Sequence, residues 1–242
     1  MTTECSQCGR EFKGIGNHWQ MSSQCDYPPL TQKQREVAVG FMMGDGCIDK
    51  KDENNPSIQT KMITNKYLEH IDKIFGILGT GVRLMLTAEE SAQRNRDNGF
   101  RPDAQAENYS DVYGWRSRNH PEFEEFVEWY SEGKKVWPEN IELTPTVLKH
   151  WYCGDGHWNN SSSHNRIQIS MSNELENTGK VDKMFENVGL PSPSNYRINE
   201  RKDGSKRCGA TFTQKQSKEL WEYMGEPLPD FEYKWPEEYR QT

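Results

Sequence analysis

The sequence predicts an α+β fold of two pseudo-symmetric α-β-β-α-β-β-α repeats, preceded by a small N-terminal zinc module. Three observations carry this prediction. An apolar run ending in Gly-Asp-Gly occurs twice, as Ala38-Val39-Gly40-Phe41-Met42-Met43-Gly44-Asp45-Gly46 and as Leu148-Lys149-His150-Trp151-Tyr152-Cys153-Gly154-Asp155-Gly156. A like order of helical and extended segments follows each copy, the mark of an internal duplication. Ahead of the first copy, Cys5, Cys8, His18 and Cys25 stand at metal-ligand spacing. The domains expected from these marks are 1–28 for the module, 29–140 for the first repeat and 141–242 for the second.

Composition bounds the function. With 242 residues the chain has room for a real core, and 8 Trp, 10 Tyr and 9 Phe are too many aromatics for a disordered chain. No window approaches the roughly 18 apolar residues of a membrane span. The polar N-terminus does not read as a signal peptide, and unevenly placed cysteines do not make a secreted disulfide framework. The expectation is an intracellular, cytoplasmic protein of prokaryotic, archaeal or viral origin. The formal net charge of −7 has the wrong sign for a simple nucleic-acid binder. An acidic surface with low apolar content fits a halophilic source, with the acids on outer helices, as at Glu122, Glu124, Glu125 and Glu128.

In the module, Cys5-x2-Cys8 is a knuckle whose thiolates can share one zinc, and His18 and Cys25 complete a tetrahedral set. Phe12 lies where small zinc modules keep a core aromatic. A segment this short does not fold without a metal. The plain alternative is four unrelated residues. Residues 26–29, Asp-Tyr-Pro-Pro, read as a linker.

In the first repeat, Thr31 and Gln34 can form a capping box, and the helix they open runs to Asp45. A strand follows Gly46, residues 50–56 are turn-like, and 57–64 form a second strand. Leu68, Ile71, Ile74, Phe75 and Leu78 have helical spacing, so a helix over 65–78 stops at Gly79. Residues 81–86 are a strand, 88–110 a solvated loop insertion, 112–118 a strand and 121–130 a helix. In the second repeat, Thr144-Pro145 is an N-cap followed by proline at the first helical position. That helix ends at Asp155. A polar turn over 157–164, a strand over 166–172 and a helix over 173–188 follow. Asp203-Gly204 turns a hairpin of strands 195–201 and 207–214, and 217–224 is the last helix. Further matches support duplication: Gly79 answers Gly189, Thr64-Asn65 answers Ser172-Asn173, and Lys135-Val136-Trp137-Pro138 answers Lys234-Trp235-Pro236.

Each motif aspartate sits at a helix C-terminus, where the macrodipole already disfavours negative charge. A carboxylate repeated in that position points to a cation. Gly40 and Gly44 lie four apart on one helix face and permit a partner helix to approach closely, which would bring Asp45 and Asp155 together. Two carboxylates brought together there call for Mg²⁺ or a similar ion between them.

Two apolar helices ending in Gly-Asp-Gly, each opening such a unit, resemble a LAGLIDADG homing endonuclease with both repeats in one chain. The run Pro138-Glu139-Asn140-Ile141 into Leu143-Thr144-Pro145, then Trp151-Tyr152 and Gly154-Asp155-Gly156, is similar to the family's second motif. The resemblance covers residues 30–240. It implies motif helices packed side by side and, in each half, a saddle of four antiparallel strands over the DNA major groove. It also implies a divalent metal held at Asp45 and Asp155 beside Gly44 and Gly154. The activity implied is intron homing by cutting both strands of a long asymmetric site, carried out by a monomer on double-stranded DNA. In this family a basic residue near the cleft supports the attacking water, and Lys135 and Lys234 stand at matching places, although an ordinary surface lysine is the alternative for each. Where the motif has its first Asp, this chain has Met43 and Cys153. His150 replaces the glycine matched by Gly40, and reads as a satisfied core histidine.

Strand alternation nominates the DNA-reading residues. Arg116 and Arg118 share one face of their strand, and Thr213 and Lys215 one face of the matched strand. Arg166, Gln168, Arg197, Arg201 and Arg207 join them, since Arg can read guanine and Gln adenine. The phase of the 57–64 strand is ambiguous. Three readings compete. The first is a metal-dependent DNA endonuclease. The second is a non-cleaving transcription regulator or RNA splicing maturase on the same scaffold. The third, an unrelated small-molecule enzyme, lacks a phosphate loop or nucleophile motif. An intein lacks its splice-junction Cys and Asn here.

Overall fold

The computed structural model describes residues 2–51, 53–131, 133–161, 164–171, 174–200, 204 and 206–240. The chain forms two compact units, one of Met1–Gln34 with Cys47–Val127, the other of Arg35–Gly46 with Glu128–Thr242.

The first unit opens with a short ribbon, β1 (Thr3–Glu4) and β2 (Glu11–Phe12), and helix α1 (Ile15–Met21). Between the strands Gly9 takes φ +68°, and its N–H donates to the Cys5 carbonyl, closing the knuckle. Ile15 and Trp19 are buried. Phe12 instead stacks on His18 with centroids 3.9 Å apart. The module rests on the same unit through Tyr27, whose ring meets His120 edge-on, while the His120 ring bonds the Pro28 carbonyl at 2.9 Å.

Helix α2 (Gln32–Met43) starts as expected, with Thr31 and Gln34 capping one another reciprocally. In the first unit, β3 (Cys47–Asp49), β4 (Ser57–Met62), β5 (Gly79–Leu86) and β6 (Val112–Ser117) form an antiparallel sheet in the order β3-β4-β6-β5. Helix α3 (Asn65–Phe75) presents Tyr67, Leu68, Ile71 and Phe75 to the core with Ile58 and Trp115. It is shorter than the expected 65–78, because Gly76 at φ +53° breaks it and a 3-10 turn, Gly76–Leu78, completes the descent.

Two other expectations for this stretch are corrected. Residues 88–110 are not a loop throughout: α4 (Ala88–Asp97) is a helix with a full capping box between Thr87 and Glu90. Only Ala92 of it is buried, so it carries no apolar periodicity to read. The helix expected over 121–130 is a 3-10 turn, Pro121–Phe123, and a single turn of helix, α5 (Glu124–Val127). The chain then enters β7 (Tyr130–Ser131), which pairs with β8 (Lys134–Lys135) in the second unit.

In the second unit α6 (Pro145–Asp155) starts as expected, the Thr144 hydroxyl accepting from the Val147 N–H and Pro145 in the first turn. The sheet is β9 (Gly156–Ser161), β10 (His164–Ser170), β11 (Asn195–Glu200) and β12 (Lys206–Thr211), antiparallel in the order β11-β12-β10-β9. This matches the first sheet strand for strand. The region expected as a polar turn over 157–164 is mostly strand β9, whose polar side chains lie on a half-solvated sheet. Helix α7 (Thr178–Glu186) is shorter than the expected 173–188. Ser172, Asn173, Arg201 and Asp203 fall outside the described residues.

The last strand also ends earlier than expected. Thr213 is the N-cap of α8 (Gln214–Met224), closing a capping box with Gln216. Thr213 and Lys215 therefore belong to the start of a helix and not to a strand face. The run Phe212-Thr213-Gln214-Lys215 reads as a strand by composition, and the Thr-x-x-Gln cap overrides it. Each repeat thus carries the α-β-β-α-β-β-α order, with α4 inserted in the first. Among the described residues no helix is long and apolar enough to cross a membrane.

Candidate functional site

The second unit contains both motif helices, and glycine sets their separation. A Cβ on Gly40 would lie 2.3 Å from the Val147 carbonyl oxygen and 2.9 Å from the His150 Cβ. One on Gly44 would meet the Gly154 Cα at 3.4 Å, and one on Gly154 would lie 3.0 Å from the Asp45 nitrogen and 3.5 Å from Asp45 Oδ2. The helices touch backbone to backbone at their C-terminal ends, as the spacing of Gly40 and Gly44 predicts. His150 is buried at this crossing, so the departure from glycine there leaves the contact intact.

That crossing brings Asp45 and Asp155 together. Asp45 is exposed and Asp155 half-buried. Burial first, and the Asp45 charge second, push the Asp155 carboxyl up to about 7, against the pull of Lys135 and Lys234. The two carboxylates, brought together at one end of the crossing, form a hard-oxygen donor set suited to Mg²⁺ or a similar divalent ion. The residues present fit such an ion.

The two lysines lie under the helix ends. Lys135 Nζ donates to the carbonyls of Met42, Gly44 and Gly46, each at 2.8 Å. Lys234 Nζ donates to the Cys153 carbonyl at 2.6 Å and the Tyr152 carbonyl at 3.4 Å. Each ammonium thus satisfies orphan carbonyls and offsets the negative end of the helix dipole next to an aspartate. Lys234 is buried, and burial lowers its pKa while Cys153, Asp45 and Asp155 hold it up. Gly44, expected beside the metal, has its carbonyl turned to Lys135.

In the first unit the donor atoms of Cys5, Cys8, His18 and Cys25 lie within 4.8 Å of one another. Cys8 Sγ and His18 Nε2 are 3.6 Å apart. The Arg10 backbone N–H lowers the Cys8 thiol to about 7, while burial raises Cys25. Three thiols and one imidazole converging with no disulfide among them fit a closed tetrahedral metal site.

Cross-strand register settles the sheet faces. In the second unit Gln168 lies between His157 and Thr211, Arg166 opposite Asn159, and Arg197 opposite Gly209. Arg166, Gln168, Arg197 and Arg207 therefore share the outer face, with Ile167, Ile169, Cys208 and Ala210 buried on the other. In the first unit Gln59 pairs with Arg116, and Lys61 and Arg83 both with Gly114. These four share that sheet's outer face. Gln59, Lys61 and Arg83 were missed in the sequence, because only the register resolves the phase of their strands. Arg116 bonds Asp49 at 2.9 Å. Arg118 lies past the end of β6, its Nε donating to the Ile77 carbonyl. Thr213 and Lys215 are exposed at the start of α8.

Two sheets of matching order, and two helices that meet at paired carboxylates, define an α+β protein built from two like repeats. The sequence matches the LAGLIDADG DNA endonuclease family over residues 35–190, and the chain belongs to that family. The homing endonuclease I-WcaI bound to its DNA recognition sequence is similar in structure, with TM-score 0.65 and 16% identity over 92% of this chain and 92% of that one. The N-terminal LAGLIDADG domain of DUF199/WhiA aligns with TM-score 0.47 and 12% identity over 82% of this chain and 86% of its own. I-DmoI in complex with DNA and Mn aligns with TM-score 0.43 and 13% identity over 79% of this chain and 96% of its own. At 16% identity the likeness to I-WcaI is one of fold. No curated protein matches the chain. Membership of the family supports a nuclease or DNA-binding function.

Proposed function

We propose that this protein is a site-specific double-strand DNA endonuclease, a homing enzyme that cuts a long asymmetric site with a divalent cation at Asp45 and Asp155. The observation that carries the reading is the meeting of the two carboxylates where Gly40, Gly44 and Gly154 leave the motif helices bare. A protein that only bound DNA would gain nothing from two acids facing the phosphates. Mg²⁺, when bound, supplies Lewis acidity toward the scissile phosphate and a nucleophilic water at neutral pH. Asp45 and Asp155 would hold that ion. Lys135 and Lys234 fix the helix ends that carry the aspartates. Arg166, Gln168, Arg197 and Arg207 on one outer face, and Gln59, Lys61, Arg83 and Arg116 on the other, take phosphates and base edges. Zn²⁺ in the Cys5, Cys8, His18 and Cys25 set holds the N-terminal module together, and the protein acts as a monomer.

Asp45→Asn and Asp155→Asn test this. Each swap is nearly isosteric and removes the charge that retains the ion. Specific binding should persist while double-strand cutting falls on the order of a thousandfold or more. A plasmid carrying a site selected from a random library reads linear and nicked products. Full cutting by the doubly substituted protein refutes the assignment.

A further inference from the structure

The two motif helices are held by unlike devices. At α6 the hold is reciprocal: Lys234 donates to the Tyr152 and Cys153 carbonyls, and the Tyr152 hydroxyl donates back to the Lys234 carbonyl at 2.8 Å. The helix therefore fixes the lysine that fixes it. The motif position matching Tyr152 is Met42, which has no hydroxyl to return. Lys135 nevertheless meets three carbonyls at equal distance; its backbone is held on one side by β7, where it pairs with Tyr130 and the Val136 N–H donates to the Trp129 carbonyl at 2.6 Å.

A second anchor lies two residues downstream. The Trp137 N–H donates to Glu174 Oε1 at 2.6 Å, and the Trp137 carbonyl accepts from Lys180 Nζ at 2.7 Å. Glu174 and Lys180 bond one another at 2.6 Å. The Glu174 side chain is 0% exposed and that of Lys180 12%. A buried ion pair recovers little net stability after its desolvation cost. What this one does supply is direction, since it grips both polar groups of a single residue. The Trp137 ring packs edge-on against Trp151 of α6 at 5.0 Å, which sets the segment against the second motif helix as well.

We propose that Glu174 and Lys180 are positioning residues for the first active-site carboxylate: by clamping Trp137 they hold Lys135 on the end of α2 and thereby place Asp45. The consequence for cleavage rests on the endonuclease reading; the mechanical link does not.

The test is the double variant Glu174→Met/Lys180→Met, which exchanges the pair for apolar side chains of similar length, a kind of replacement that folds tolerate. Glu174→Gln is a milder companion should the double variant fail to fold. Hydrogen exchange of full-length protein should quicken about tenfold over residues 42–46 and stay unchanged over 152–156, where the Tyr152–Lys234 hold is intact. Single-turnover cutting should slow about tenfold or more with DNA affinity unchanged, the signature of a misplaced group. Equal loosening of both segments, or no change at 42–46, overturns the proposal. So does a loss of affinity and thermal stability with the cutting rate preserved. If the unaltered protein cuts no DNA, the endonuclease reading fails while the exchange pattern still decides the clamp.

Discussion

Replacing Gly40 with alanine should damage this protein far more than the same change at Gly44, although both glycines face the same helix. The added Cβ at position 40 would stand 2.3 Å from the Val147 carbonyl oxygen and 2.9 Å from the His150 Cβ. Ordinary contact begins near 3.4 Å, so α2 and α6 must separate by about 1 Å. Both obstacles are backbone or the root of a side chain, and neither can swing away. Overpacking of this kind costs about 1–3 kcal/mol, against which alanine regains about 0.5–1 kcal/mol of helix propensity. A net loss of up to about 2.5 kcal/mol should lower the melting temperature by up to about 10 °C for a chain of this size. The effect on cutting should be larger, because a 1 Å displacement of reacting groups costs on the order of a hundredfold. At Gly44 the nearest atom is 3.4 Å away, and Gly44→Ala should be close to neutral in stability. Calorimetry and single-turnover cleavage of both variants decide it. If Gly40→Ala is as stable and active as Gly44→Ala, the backbone-to-backbone contact does not set the spacing of the aspartates.

Three further outcomes are expected. Elemental analysis of reduced, unchelated protein should find one zinc per chain, lost in Cys8→Ser; protein without zinc removes the metal reading of the module. In metal-free protein Asp155 keeps its proton in the folded state to about 7, whereas the unfolded chain releases it near about 4. Between those values the folded state binds the extra proton, so stability should fall as pH rises through that window, and Asp155→Asn should flatten the slope; urea titrations in EDTA that show a rising slope refute it. With a net charge of −7, cutting should survive salt that releases ordinary DNA binders, and activity that is best in dilute buffer and vanishes at molar KCl removes the halophilic expectation.

The sequence by itself determined the duplication, the helix starts at Thr31 and Thr144, the close-packing glycines and the convergent Cys and His residues. These are local signals, since capping, proline placement and ligand spacing act within a few residues. Alternation also sufficed for Arg166, Gln168 and Arg207, which alternate with buried Ile167, Ile169 and Cys208; Arg197, between unburied Tyr196 and Ile198, is placed by its pairing with Gly209. Tertiary structure alone decided the rest. Helix α4 buries a single alanine and leaves no periodic trace. The outer-face positions of Gln59, Lys61 and Arg83 depend on which residues pair across strands, a long-range choice that a polar strand does not encode. Thr213 and Lys215 went from strand to helix because a side-chain cap outweighs β-propensity. The lysines were legible as a matched pair, but their burial under the motif helices was not, because each ammonium finds its carbonyls about ninety residues away in sequence for Lys135 and about eighty for Lys234. Glu174 and Lys180 had no signal at all: an acid and a base six positions apart look like solvent-facing charges until folding lays Trp137 between them.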